Sequence, residues 1–434
     1  MTSRREFLQA STMASVVLAA PTSLVPAPRV DQGEALPPSI AALQSLRDRA
    51  RPITTDERRA RVEAARRLMA ERSLDALMLT GGTSLDYFTG IRWGLSERLL
   101  ALVVPKSGRA FLVCPAFEEE RAREQVAEGP LHGDVDFATW QEDESPYRLV
   151  ADRLRARGFA TGHLGMEETL RFVFADGVAQ VAPALSVVSG TPVTAGCRAV
   201  KDAHEIELMR LASDVTVKAY EAAYRGLTDG MTQDRFAELV SLAHRGLGFP
   251  GGAGVQVGEY SALPHGSVTP QVVREGTILL IDGGCAVEGY RSDISRTFVL
   301  GKPTDKMKRV FEIEFRAQSA ALAAARPGVE CQAVDAAARK VITDAGYGPD
   351  YTYFTHRVGH GIGMDGHEWP YLVRGNTLRL EPGMTFSDEP GIYIRGEFGI
   401  RIEDDMVITE AGAELLTPQS PSLEDPFGRV SSEQ

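Results

Sequence analysis

The stretch Ile278-Leu279-Leu280-Ile281-Asp282-Gly283-Gly284, continued by Gly289-Tyr290-Arg291-Ser292-Asp293-Ile294-Ser295-Arg296-Thr297-Phe298, decides the fold. Two runs of strand-forming residues separated by a glycine-bearing turn predict a hairpin. Aspartate is disfavoured in strands, yet Asp282 ends the first run and Asp293 opens the second. With the turn at Val287–Glu288 the two aspartates face each other. With the turn shifted by one residue they become diagonal neighbours on the same face. Either register brings two carboxylates together inside an apolar sheet.

A second strand pair follows a hundred residues on: Met384-Thr385-Phe386-Ser387-Asp388-Glu389-Pro390-Gly391, then Gly399-Ile400-Arg401-Ile402-Glu403-Asp404. Arg401 and Glu403 are two apart and so share a strand face. Between the pairs lies His356-Arg357-Val358-Gly359-His360-Gly361-Ile362-Gly363-Met364-Asp365-Gly366-His367, whose glycines let the backbone approach whatever the histidines hold. Each strand pair is preceded by two predicted helices. The first two span about 202–225, opened by a capping box at Asp202 and Glu205, and about 233–247. The second two span about 305–326 and 331–345. Two helices then a strand pair, twice over, predict an internal duplication. Four carboxylates brought together repel unless cations compensate them. Two divalent ions neutralise four negative charges, and an Asp, Asp, His, Glu, Glu set without sulfur favours manganese, with iron, cobalt or zinc as alternatives.

Outward from this centre, residues 51–197 read as an α/β domain. A helix is predicted over 56–73, with Val62, Ala65, Leu68 and Met69 at helical spacing. Apolar runs follow at Ala76–Leu79, Leu99–Val104 and Ala110–Val113, and helices around 116–127 and 147–157. Residues 28–50, rich in proline and alanine, predict a linker or peripheral helix, and 421–434 a tail. At the N-terminus Arg4-Arg5 precede Phe7-Leu8 and a mild apolar run to Ala20, matching a twin-arginine export signal over residues 1–27, cleaved at Ala20 or Ala27. An exported, periplasmic or secreted protein is expected. The net charge of −12 and the lack of a Lys/Arg block exclude a nucleic-acid binder. No apolar run reaches the length of a membrane-spanning helix. Cys114, Cys197, Cys285 and Cys331 form no CxxC pair and predict buried thiols rather than a disulfide framework.

The motifs around Asp282, Asp293, His360 (GHGIG), Glu389 (EPG) and Arg401–Asp404 (RIED) resemble those of the pita-bread-fold metallopeptidases: methionine aminopeptidase, aminopeptidase P and prolidase. The resemblance covers about 200–415, and Leu263-Pro264-His265 is similar to the segment carrying the family's substrate-site histidine. Ser84-Leu85-Asp86-Tyr87-Phe88-Thr89-Gly90 resembles the creatinase-type N-terminal domain of aminopeptidase P and prolidase, which methionine aminopeptidases lack.

The resemblance implies an N-terminal creatinase-like α/β domain at 51–197 and a pita-bread domain with pseudo-twofold halves at 198–420. Its metal ligands would be Asp282, Asp293, His360, Glu389 and Glu403, with Asp293 and Glu403 bridging. Glu389 would also be the general base, His265 and His367 would contact substrate and oxyanion, and Arg401 would brace the carboxylates or the substrate. Ser295 stands where the family often has threonine. Asp388 would sit behind the ligands or contact the substrate amine. The implied activity is hydrolysis of Xaa-Pro bonds by a metal-bridging hydroxide, in dipeptides or at peptide N-termini, by a dimer or tetramer. Alternatives are a creatinase-type amidinohydrolase, a dimethylsulfoniopropionate lyase, or an inactive binding module.

His356 reads as structural rather than a ligand. His132, His163, His204 and His244 read as surface residues, Cys285 as a small buried residue, Tyr290 as packed, and Asp365 and Glu368 as solvated or lying behind the ligands.

Overall fold

The computed structural model describes residues 35–428. The twin-arginine segment, both candidate cleavage sites and the end of the tail lie outside the described residues. A helical turn at Pro38–Ala41 and a 3-10 turn at Arg47–Arg49 occupy the predicted linker. Leu46 N–H donates to the Leu247 carbonyl at 2.9 Å, which fastens this segment to the C-terminal half.

Helix α1 (Thr55–Glu71) opens with a capping box between Thr54 and Glu57 and buries Val62, Ala65 and Met69, as their spacing requires. The three predicted apolar runs become strands β1 (Ala76–Thr80), β2 (Ala101–Pro105) and β3 (Ala110–Pro115). Strands β4 (Val135–Trp140), β5 (Gly162–Met166) and β6 (Leu185–Ser189) complete a mixed sheet ordered β4-β3-β2-β1-β5-β6. Helices α2 (Thr83–Thr89), α3 (Glu119–Ala127), α4 (Pro146–Ala156), α5 (Phe172–Val181) and α6 (Thr191–Ala199) connect them. This is the expected α/β domain, but half its sheet is absent from the sequence reading. Strand β5 carries two glycines and a histidine, which have little strand signal of their own.

In the C-terminal half, α7 (Ala203–Tyr224) starts at the predicted box, with Asp202 Oδ1 accepting from Glu205 N–H at 2.9 Å and Glu205 Oε2 from Asp202 N–H at 2.8 Å. After α8 (Gln233–Gly246) come β7 (Gly251–Val257), β8 (Ile278–Val287), β9 (Tyr290–Arg291) and β10 (Ile294–Val299), ordered β10-β8-β7 with β9 on β8. The pattern then recurs with α9 (Asp305–Ala324) and α10 (Cys331–Asp344). Their strands are β11 (Gly359–Gly361), β12 (Glu368–Leu372), β13 (Thr385–Asp388), β14 (Gly391–Ile394), β15 (Phe398–Arg401), β16 (Asp404–Ile408) and β17 (Ala413–Leu415). Five of these form a sheet ordered β12-β11-β13-β16-β17, and β14 pairs with β15. No helix among the described residues is long and apolar enough to cross a membrane.

Strand β7 lies between the second predicted helix and the first strand pair, where the sequence predicts no element. Gly251 is there for close packing: a Cβ on it would lie 2.4 Å from the His244 ring and 2.7 Å from Cys285 Cβ. His244, expected at the surface, is fully buried there. Burial holds its pKa down to about 4, so the ring is neutral, and Nδ1–H donates to the Val240 carbonyl at 2.9 Å. His204 is not a free surface residue either, since its Nδ1 lies 2.7 Å from Glu57. All four cysteines are free and three are buried.

Candidate metal centre

Asp282 faces Ser295 across β8 and β10, so the two aspartates are diagonal neighbours, the second of the two registers considered. In the other half, β13 pairs with β16 through Asp388 and Asp404, and β14 with β15 through Gly391 and Arg401. The same register runs through both pairs, which sets Glu389 opposite Glu403 at the interruption between them. Pro390 breaks the ladder there because it has no N–H to give. The two halves join where Ser295 bridges Glu403, whose N–H donates to the Ser295 carbonyl at 3.2 Å.

That junction brings all five predicted ligands together. Asp282, Asp293 and Glu403 each present an oxygen within 4.8 Å of the other two, and so do the ligand atoms of His360, Glu389 and Glu403. Asp293, His360 and His367 form a third such group. His360 Nδ1 lies 3.1 Å from the Gly361 carbonyl, which can only accept, so Nδ1 carries a proton. Nε2 is thereby turned to the carboxylates, 3.1 Å from Glu389 Oε1 and 3.9 Å from Asp293 Oδ2.

Arg401 is 3% exposed and spans the halves. It donates from Nη2 to Asp282 Oδ2 at 2.7 Å, from Nε to Ser295 Oγ at 3.0 Å and from Nη1 to the Tyr393 hydroxyl at 2.8 Å. The Ser295 hydroxyl in turn donates a hydrogen bond to Glu403 Oε2 at 2.6 Å. Here Arg401 braces carboxylates, one of the two roles considered. Tyr393 escapes the sequence reading because nothing in a lone tyrosine on a strand announces its hydroxyl's partners; His356 Nε2 is its other contact, at 2.7 Å.

The charge balance fits divalent cations. Burial, then the Asp282 charge, push Asp293 up to about 7. Burial, then Asp293 and Glu389, push Glu403 well above the usual carboxylate range. Burial works against ionisation of Glu389 too, but the hydrogen bond from His360 and the charges of His356, His360 and Arg401 outweigh it and hold Glu389 low. Oxygen and nitrogen donors crowded until some keep their protons are what divalent ions displace protons from. Metal uptake is therefore expected to release protons. As acid returns a proton to Asp293 below about pH 7, apparent affinity should fall about 10-fold per pH unit for each proton displaced. Calorimetric titration in buffers of different ionisation enthalpy measures this, and an affinity constant from pH 6 to 8 would contradict it.

A cavity of about 340 Å³ opens over the donors. His265, His356 and His367 line it with Arg357 and Arg401, so every predicted site residue reaches one space. Burial, then the His360 charge, lower the His367 pKa, which makes its ring neutral and able to donate one hydrogen bond.

Two open readings are narrowed, one is borne out with a partner added, and one is corrected. Asp388 is fully buried on the side away from the cavity, and burial together with Asp404, Glu314 and Glu389 drives its pKa well up, so it is no contact for a substrate amine. Tyr290 is packed as expected, yet its hydroxyl donates to Glu205 at 2.6 Å. Glu368 is buried and paired with Arg198 and Lys201 rather than solvated. Gly359 and Gly361 of GHGIG admit neighbouring strands, not a ligand: a Cβ on Gly359 would lie 2.0 Å from the Ser387 carbonyl oxygen.

Residues 207–410 match metallopeptidase family M24, and residues 61–200 match the creatinase/prolidase N-terminal domain. The chain is 34% identical over 374 residues to a Xaa-Pro dipeptidase of Lactobacillus delbrueckii subsp. lactis, covering 82% of this chain and 96% of that one. The crystal structure of dipeptidase PepE from Mycobacterium ulcerans superposes with a TM-score of 0.80 at 34% identity, covering 86% of this chain and 99% of that one. An X-Pro aminopeptidase from Thermotoga maritima gives 0.70 at 28% identity, covering 84% and 99%. With a duplicated fold, a donor set at the junction of its halves and near full-length relatives of this kind, the chain belongs to metallopeptidase family M24 and carries that family's creatinase/prolidase-type N-terminal domain.

Proposed function

We propose that the protein is a peptidase that cleaves the bond before proline, in dipeptides and at the N-termini of short peptides. The convergence of Asp282, Asp293, His360, Glu389 and Glu403 beneath a peptide-sized cavity carries this reading. The proline preference rests on relatives that are Xaa-Pro dipeptidases and an X-Pro aminopeptidase. Two divalent ions, with manganese preferred for this oxygen-rich set, would be held by those five residues. Bound there, they supply Lewis acidity that polarises the scissile carbonyl and lowers the pKa of the attacking water.

The chain's own groups do the rest. Glu389, held ionised, accepts the proton of the attacking water. The bond before proline is a tertiary amide with no N–H, so its nitrogen leaves only when protonated, and Glu389 returns the proton to it. His367 and His265, on the cavity wall, donate hydrogen bonds to the carbonyl oxygen as it gains charge. Arg401 and Tyr393 keep Asp282 in place, and Ser295 does the same for Glu403.

A panel of Gly-Pro, Ala-Pro, Xaa-Pro-Yaa peptides and non-proline controls tests the reading. Hydrolysis of the proline peptides alone is expected, and equal rates on the controls would overturn it. The amidinohydrolase and lyase alternatives find no support among these relatives, and an intact donor set does not favour an inactive module. Export by the twin-arginine route and assembly as a dimer or tetramer belong to the same reading. Replacing Arg4-Arg5 by Lys-Lys is expected to leave uncleaved precursor in the cytoplasm, measured by fractionation; undiminished export would refute the signal.

A further inference from the structure

The loop that presents His367 is gripped from behind by four charges that belong neither to the donor set nor to the cavity's catalytic wall. Arg198, at the end of α6, donates from Nη2 to Asp365 Oδ2 and to Glu368 Oε1, each at 2.5 Å. Lys201 Nζ lies 3.2 Å from Glu368 Oε2. The side chains of Arg198, Lys201 and Glu368 are 7%, 2% and 4% exposed. Asp365 closes the loop on itself, its N–H donating to Glu368 Oε1 at 3.0 Å. The N-terminal domain adds Thr83 of α2, whose hydroxyl donates to Asp365 Oδ1 at 2.6 Å. From the other side Arg291 donates its N–H to the Gly363 carbonyl at 2.8 Å and its Nε–H to the Met364 carbonyl at 3.0 Å.

The two cations and two anions are balanced in charge, and all but Asp365, whose side chain is 37% exposed, are buried, but such groups contribute little net stability compared with apolar packing. What they supply is a single geometry, since removing or moving one leaves its partner's charge uncompensated. The geometry held here is that of one residue. Glu368 is turned into the cluster, and His367, immediately before it, faces the cavity with its ring centroid 3.9 Å from that of His360.

We propose that Arg198 and Thr83, acting through Asp365 and Glu368, are positioning residues for His367, so that the N-terminal domain sets the placement of a catalytic imidazole in the C-terminal domain. The inference rests on the reading of His367 as a substrate-facing donor. Misplacing a catalytic group by about 1 Å costs on the order of 10²-fold in rate.

The test is a double-mutant cycle on the full-length, metal-loaded enzyme. Arg198→Lys keeps the charge and loses the two-pronged contact. It is expected to lower kcat roughly 10-fold to 10²-fold, with metal content and KM little changed. In a His367→Ala background the same substitution should have no further effect. Thr83→Val repeats the cycle with a milder change and decides the matter should Arg198→Lys fail to fold. An independent readout is the His367 ring resonance in isotope-labelled metal-free protein, identified as the signal missing from His367→Ala. It should shift in both variants. Equal losses of kcat with and without His367, or an unmoved resonance, overturn the proposal. If His367→Ala itself leaves kcat unchanged, the role given to His367 fails, and the resonance alone decides whether the cluster positions the ring.

Discussion

His360→Ala is expected to lose bound metal and turnover together. Its Nε2 is aimed at Glu389 and Asp293 because Nδ1 is committed to the Gly361 carbonyl, so no rotation of a substitute side chain can restore the donor. Losing a partner outside the coordination sphere costs a metal site about 10–100-fold in affinity, and losing a ligand should cost at least that much. Glu389→Gln is expected to be as damaging by a different route. The amide keeps the shape, but removes the negative charge that opposes the ions and the atom that accepts the water's proton. Residual metal is then expected with activity lower than that occupancy accounts for. Elemental analysis and kcat on the same preparations check both. Full metal and full activity in His360→Ala would refute the donor set.

His367→Ala should separate binding from catalysis. If the imidazole meets the oxyanion, turnover falls roughly 10²–10³-fold, the usual cost of one such donor, while the ions stay. His265→Ala is expected to fall similarly, with a larger share in KM if the ring positions the proline end of the substrate. The geometry makes this a demanding test, because His367 offers a ligand atom within 4.8 Å of those of Asp293 and His360. Loss of metal from His367→Ala to the extent seen in His360→Ala would make it a ligand and withdraw the oxyanion role.

The parts of the fold legible beforehand are those specified by neighbours in sequence. The helix starting at Ala203 was readable because Asp202 and Glu205 cap each other three residues apart, and α1 because Val62, Ala65 and Met69 repeat at the helical period. The aspartates and glutamates of the centre stood out because carboxylates ending apolar strands conflict with local propensity, and such conflicts mark function. Strands β5 and β7 were not legible. Their glycines answer to what packs beside them, such as the His244 ring against Gly251, and that neighbour is set by the folded structure.

The sequence by itself determined the fold class and the duplication, since periodicity, capping and residue order along the chain are local properties, and the resemblance of its motifs singled out the five residues that the fold brings together. Tertiary structure alone decided how those residues meet. The register making Asp282 and Asp293 diagonal depends on where the β8–β9 turn closes, and strand alternation permits more than one answer. Arg401 could have braced substrate or carboxylate; its reach to Asp282 follows from Ser295 and Glu403 joining the two halves. Burial was likewise undecided for Glu368, read as solvated or as lying behind the ligands, because its partners Arg198 and Lys201 lie more than 160 residues away. A charge is stable in the interior only beside its counter-charge, and which counter-charge arrives is settled when distant segments pack.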